Sequence, residues 1–157
     1  MKGPVKVQAA LKAAGLDVDV VRLQENARTA QLAADALDTA LGSIVKSLLF
    51  LADGEPVLVL VAGDRRADPA KLKKLLSARR VMIADAERVR SETGFSIGGV
   101  PPVGHRQPLL TWIDGSLGRF ETVYAAAGHP RVVFPIAFEA LVRITDGNVA
   151  DVTESPA

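Results

Sequence analysis

One residue in this sequence sits oddly among its neighbours: a lysine in the middle of an apolar run. Lys46 falls in Ile44-Val45-Lys46-Ser47-Leu48-Leu49-Phe50. Alternate residues of a strand share a face. Lys46 therefore keeps company with Ile44, Leu48 and Phe50, while Ser47 is the polar exception among Val45, Leu49 and Leu51 on the other face. An amine so placed snorkels past its neighbours to water, pairs with an acidic residue, or points into a cleft, where it can hold a phosphate or a developing oxyanion. The pattern alone leaves these readings open.

A second unusual stretch is Gly94-Phe95-Ser96-Ile97-Gly98-Gly99-Val100-Pro101-Pro102-Val103-Gly104-His105. Its glycines let a ligand approach the main chain, its prolines stiffen what lies between, and successive N–H groups in such a loop can form an anion-binding concavity. It is no Walker loop, since no Gly-Lys-Ser/Thr follows, and no dinucleotide fingerprint. It also reads as an awkward connection without a ligand. The two histidines, His105 and His129, form no metal-type pair, so no metal site is expected. His129, in Ala125-Ala126-Ala127-Gly128-His129-Pro130, is an exposed turn residue or one that shapes a small substrate pocket. Ser43, Ser96, His105 and Asp114 supply the residue types of a triad, but no nucleophile elbow surrounds either serine.

The elements that must position these groups can be read from pattern and punctuation. Residues 4–14 form a helix with Val7, Leu11 and Ala14 on one face, and residues 17–23 alternate as a strand. Thr29 caps a helix running to about Leu37. Residues 43–52 and 56–62, joined by Asp53-Gly54, read as a hairpin. Asp68-Pro69 starts a third helix, residues 81–84 a short strand, and Asp85 caps a helix ending near Gly94. Residues 94–108 are too broken by glycine and proline for regular structure. Strands follow at residues 109–113, 122–127 and 131–134. Pro135 then opens a helix through Arg143, and a last short strand lies at 149–152. Hairpins interspersed with short helices indicate a mixed α/β fold, and no linker divides the 157 residues, so one domain is expected over 1–157.

Hydrophobic residues make up 48% and charged residues 24%, enough for a packed core, which must be aliphatic because aromatics are only 4%. The absence of cysteine removes disulfides, thiolate metal sites and a cysteine nucleophile. A net charge of +1 is not that of a protein that coats nucleic acid. A local basic segment remains: Arg65, Arg66, Lys71, Lys73, Lys74, Arg79 and Arg80. It is either a solvated helix face or a phosphate-contacting surface. No apolar run reaches the ~18 residues of a membrane span, and residues 1–15 lack a signal-peptide layout. A cytoplasmic protein without membrane association is expected.

Several segments carry a resemblance when taken in order: Ala27-Arg28-Thr29, Ile44-Val45-Lys46-Ser47-Leu48, Gly63-Asp64-Arg65-Arg66, Thr93-Gly94-Phe95, Gly98-Gly99-Val100-Pro101-Pro102-Val103-Gly104-His105 and Ala126-Ala127-Gly128. They span roughly residues 27–147, and the set resembles the YbaK/ProX family of aminoacyl-tRNA editing domains, which includes the prolyl-tRNA-synthetase-associated domain. The resemblance implies a curved, barrel-like mixed sheet flanked by short helices. It implies hydrolysis of the ester joining an amino acid to the terminal adenosine of a tRNA, without metal or cofactor. Lys46 would be the key functional side chain, with the main chain at Gly98 and Gly99 around the scissile ester. Pro102, Gly104, His105, Gly128 and His129 would surround the substrate. Mischarged tRNA is the implied partner, tRNA(Pro) first, with a prolyl-tRNA synthetase as a candidate second.

The sequence departs from that pattern at three positions. Asp38 stands where relatives often carry glycine, Ala126 where the YbaK branch has serine, and Val133 where that branch has an acidic residue. These differences point away from Cys-tRNA, and Ala127-Gly128-His129 resembles the branch that clears alanine from proline tRNA. Deacylation of Cys-tRNA(Pro) or another aminoacyl-tRNA, a non-catalytic tRNA-binding module, and a hydrolase of another small aminoacyl ester are the alternatives.

Overall fold

The computed structural model describes residues 3–24 and 29–155. The lysine-bearing hairpin forms because two apolar eight-residue runs flank a turn pair. β2 (Val45–Ala52) and β3 (Glu55–Ala62) pair antiparallel over their whole length, from Val45 opposite Ala62 to Ala52 opposite Glu55. β3 is buried continuously from Val57 to Ala62, as a central strand covered on both faces must be. It pairs in parallel with β5 (Leu110–Asp114), which pairs in parallel with β8 (Asn148–Ala150). β4 (Val81–Ile83) closes the other edge, giving the order β4-β2-β3-β5-β8. A second sheet, β1-β7-β6, is built from β1 (Val21–Arg22), β7 (Val132–Ala137) and β6 (Thr122–His129).

The alternation along the hairpin divides the interior in two. Val45, Leu49, Leu58 and Leu60 face the main core, with Val7 and Leu11 of α1 (Gly3–Ala13), Val123, Phe134, and Leu141 of α5 (Phe138–Thr145). Phe50, Val57, Val59 and Val61 face a smaller core under Leu72 of α3 (Pro69–Leu75). Burying side chains of this size stabilises by about 1.5–3 kcal/mol each before chain entropy is counted. The two sheets meet at one parallel bridge, Ile44 opposite Tyr124, so the curved sheet is two joined ladders, and no continuous ladder closes a barrel among the described residues. No helix among them is long and apolar enough to cross a membrane.

The caps fall where the sequence puts them. Thr29 Oγ1 accepts from Leu32 N–H at the start of α2 (Ala30–Leu37), the Asp68 carboxylate from Ala70 N–H, and the Asp85 carboxylate from Arg88 N–H at the start of α4 (Ala86–Thr93). Residues 94–109 are irregular, as expected.

Three elements differ from their sequence reading. The first strand pairs only at Val21 and Arg22, because β7 offers partners only at Val133 and Val132. Pro135 lies inside β7, opposite Tyr124, and the last helix starts at Phe138. The physical reason is register. Leu23 N–H donates to Arg131 O, so the main chain at 131, 133 and 135 turns toward β1. β1 pairs no further than Val21, opposite Val133, so the missing N–H of Pro135 falls on an open edge. The final strand lies at Asn148–Ala150, slightly earlier than its pattern indicates.

Candidate active site

The site is a gap in a ladder. β4 pairs with β2 only from Phe50 to Ala52, and the one bridge to β6 among the described residues is at Ile44, just before β2 begins. Between them a cavity of about 340 Å³ opens along the edge of β2. Its walls are Thr29, Ala30 and Ala33 at the start of α2, the β2 segment 44–49, Ile83 and Ala84, Val89, the loop residues Ile97, Gly98 and Val100, Tyr124 and Ala126 of β6, and Pro130 and Val133. Small residues from α2 and β6 leave the space that larger side chains would fill.

Lys46 lines this cavity and is half-buried. Its Nζ donates to the main-chain carbonyl of Arg65 at 2.6 Å, which fixes the stem while leaving two ammonium protons uncommitted to that bond. Burial lowers the amine's pKa from 10.5; the nearby Arg66 guanidinium lowers it further, and Asp64 partly offsets both. The Gly63-Asp64-Arg65-Arg66 segment is thus the mount of the lysine. A Cβ on Gly63 would lie 2.4 Å from Leu41 O, so only glycine lets the chain pass there. Asp64 is clamped by Arg119 through two bonds, 2.7 and 3.0 Å, and this guanidinium holds its carboxyl below the usual aspartate range.

Gly98 also lines the cavity. Its φ of +87° is a left-handed conformation suited to glycine. Gly99 lies behind it: a Cβ there would meet Cα and N of His129 at 3.0 Å, and its N–H is committed to Ser96 O. The remaining residues singled out from the sequence are not on the cavity wall. His105 Nε2 donates to Pro101 O at 2.6 Å, and burial pushes its pKa below 6.5, so a neutral imidazole braces the loop. Pro102 is buried, and Gly104 packs against Ala10 of α1. Gly128 has φ +93°, and a Cβ on it would lie 2.7 Å from the main chain of Gly3. It therefore seats the start of α1. His129 Nδ1 accepts from Arg131 N–H, and the histidine's main chain backs the glycine pair. These five residues shape the support of the loop, while Lys46 and Gly98 face the space it encloses.

The two substitutions that set this sequence apart from the YbaK pattern, Ala126 and Val133, both lie on the cavity wall. The third, Asp38, ends α2 in the left-handed conformation at φ 52°, where glycine is the usual residue. Ala27 and Arg28 lie outside the described residues. Sequence reasoning missed Arg119, whose partner is 55 positions away and leaves no local signature. It also missed Tyr124, Ile83 and Ile97, which reach the cavity from separate elements. Ser47 was noticed only as an exception in a pattern. Its Oγ is buried without a hydrogen-bond partner.

The aminoacyl-tRNA editing domain matches residues 24–144. The chain belongs to this family. As an editing domain it is an aminoacyl-tRNA deacylase, a hydrolase of the ester between amino acid and tRNA. The domain superposes with a TM-score of 0.94 on the crystal structure of a candidate trans-editing enzyme for prolyl tRNA synthetase, at 40% identity over 99% of each chain. It is 42% identical over 76 residues to the proline--tRNA ligase of Oleidesulfovibrio alaskensis, spanning 48% of this chain and only 13% of the ligase. It is 25% identical over 130 residues to a candidate Cys-tRNA(Pro)/Cys-tRNA(Cys) deacylase, EbsC, of Enterococcus faecalis, covering 82% of this chain and 79% of that protein.

Proposed function

We propose that this editing domain deacylates Ala-tRNA(Pro), with the aminoacyl group in the cavity beside Lys46. The observation that carries the choice of alanine is the wall at Ala126 and Val133. A methyl and an isopropyl group offer no hydrogen bond or charge to a thiol, while small apolar walls suit a methyl side chain. The likeness to a candidate prolyl trans-editing enzyme and to part of a proline--tRNA ligase supports tRNA(Pro) as the carrier.

No carboxylate or imidazole lines the cavity among the described residues, which favours a base supplied by the substrate itself. Water attacks the ester carbonyl carbon, assisted by the 2′-hydroxyl of the terminal ribose. The bond from that carbon to the ribose 3′-oxygen breaks, and the 3′-oxygen takes up the proton. The protein's share is positioning and charge: the Lys46 ammonium stabilises the oxygen that becomes negative, and the Gly98 loop lets the main chain approach it. The exposed pair Arg79 and Arg80 leads into β4, whose Ile83 is at the cavity. Three strand residues cover about 10 Å, which puts these guanidinium groups within reach of phosphates next to the terminal adenosine. This supports Arg79 and Arg80, out of the basic segment, as phosphate contacts, with prolyl-tRNA synthetase as the source of the mischarged product.

The test is deacylation of Ala-, Cys- and Ser-charged tRNA(Pro) by wild type and Lys46→Ala. The reading expects the fastest cleavage with alanine and its loss in the folded variant. Equal cleavage by the variant would remove the lysine from the reaction. Binding of tRNA without any cleavage would leave the non-catalytic module.

A further inference from the structure

The cavity is lined by one residue, Ser47, whose side-chain oxygen is buried without a hydrogen-bond partner among the described residues. Two hydrogen bonds fix the direction of the main chain along β2. Gly63 N–H donates to Ile44 O on the β3 side, and Ala84 N–H donates to Leu49 O on the opposite side. Main-chain groups of an antiparallel strand alternate sides. The N–H and C=O of Ser47, between these two, therefore turn away from β3 toward the β4 side. There β4 has not yet begun to pair and the bridge to β6 has passed, so no ladder among the described residues pairs Ser47 on this side. Its Oγ is also without a partner, and the residue lines the cavity. Buried polar groups in folded proteins are nearly always paired, so a buried hydroxyl without a partner beside main-chain groups that no ladder pairs calls for an occupant.

We infer that Ser47 reads the substrate's α-ammonium and ester carbonyl as a strand reads its neighbour, by adding the aminoacyl group as a single-residue strand to the open edge of β2. The inference rests on the deacylase reading above. A residue in an antiparallel ladder presents one C=O and one N–H to the N–H and C=O of one residue opposite. An aminoacyl ester carries the same pair: an ammonium donor and a carbonyl acceptor on either side of one Cα. The Ser47 carbonyl accepts from the ammonium, its N–H donates to the ester carbonyl, and Oγ provides a second acceptor for the ammonium. Lys46, on the opposite face of the same strand, is then one residue from the bond to be cut. The main chain reads the part common to all amino acids, leaving Ala126 and Val133 to read the side chain.

The test compares alanyl-tRNA(Pro), lactyl-tRNA(Pro), which has a hydroxyl in place of the ammonium, and N-acetylalanyl-tRNA(Pro), each rate divided by its uncatalysed hydrolysis. Two hydrogen bonds to a charged group, about tenfold each, should make wild type prefer alanyl over lactyl ester by about a hundredfold. Ser47→Ala should keep about tenfold of that preference, with its loss on alanyl-tRNA expressed in KM. Ser47→Thr should restore it. Thermal stability should stay equal or rise in Ser47→Ala, since an unpaired buried hydroxyl is removed. An unchanged preference in Ser47→Ala overturns the inference, as does a uniform loss on all three esters with a lowered melting temperature. Lys46→Ala separates the two readings. If it abolishes cleavage while Ser47→Ala leaves the preference intact, only the anchoring role fails. A wild type that cleaves none of the esters overturns both.

Discussion

Raising the pH should switch off deacylation below the range in which an ordinary lysine titrates, and it should do so while the fold gains stability. The group responsible is Lys46. Its amine is half-buried and lies near Arg66, so its pKa lies below 10.5. Activity needs the ammonium, so kcat must fall as pH rises through that lowered value. Stability moves the other way. The folded state binds the proton less tightly than the unfolded chain, so between the two pKa values the unfolded state holds more protons and stability rises with pH. Opposite slopes separate titration of the amine from alkaline unfolding. Removing the amine in Lys46→Ala should lower kcat/KM by about 10²–10³, the loss of one preorganised donor to an oxyanion. The stability change should be small. Arg65 O loses its bond, at the low end of about 1–3 kcal/mol because the site is partly wet, while the burial penalty of the charge disappears. Lys46→Arg should move the basic limb out of the measurable range. The assay is single-turnover deacylation from pH 6.5 to 10, with the base-catalysed rate from enzyme-free controls subtracted, alongside thermal melts. A basic limb that persists in Lys46→Ala would refute the assignment, as would activity and stability falling together.

Other perturbations test the supports of the site. Asp38→Gly should stabilise by about 0.5–1 kcal/mol, since it relieves a left-handed residue at a helix end, and should raise the melting temperature by roughly 2–4 °C without altering kcat. Gly128→Ala should destabilise by about 3 kcal/mol, combining a left-handed alanine with a Cβ against the Gly3 main chain; denaturant titration reads it directly. His105 has its pKa lowered by burial, so its contribution to stability is full above 6.5 and is lost as pH falls from there toward its folded value; His105→Gln should flatten that limb in pH-dependent melts. Ala126→Leu should fill part of the cavity and raise KM for Ala-tRNA by at least tenfold with an intact fold, measured by steady-state deacylation.

The sequence made some of this legible because those features are local. The hairpin is written in two apolar runs and an Asp-Gly pair, the helix starts in Thr29, Asp68 and Asp85, and the oddity of Lys46 in its immediate neighbours. What could not be read is set by partners distant along the chain. Pro135 carries the same local signal whether it opens a helix or sits on an open strand edge, and only the short pairing of β1 decides. Arg119 resembles any surface arginine until Asp64, from another turn, is beside it. The glycines of the loop and of Gly128 share one residue type with different duties. Gly98 faces the cavity, Gly99 makes way for His129, and Gly128 makes way for α1.

The position of the cavity follows from the lengths of strands. A lone apolar pocket in a sheet protein would ordinarily be closed by the next strand, because unpaired main-chain groups in an interior are unfavourable. Here β4 stops pairing with β2 at Phe50, and among the described residues the one bridge to β6 is at Ile44, just before β2 begins. The space between is as wide as the missing pairing. Lengthening β4 would therefore abolish the site without touching any residue named for chemistry. Ala84 and Asp85 stand in the way: Ala84 makes the last bond to Leu49, and Asp85 turns the chain into α4 by accepting from Arg88 N–H. An Asp85→Val change, which deletes the cap and favours continued strand, should weaken α4 by about 0.5–2 kcal/mol. It should also lower kcat/KM although residue 85 does not line the cavity. Hydrogen exchange that slows at Ser47 N–H in that variant would show the edge becoming covered. Full activity with α4 destabilised would instead mean that the gap in the ladder is not what admits the substrate.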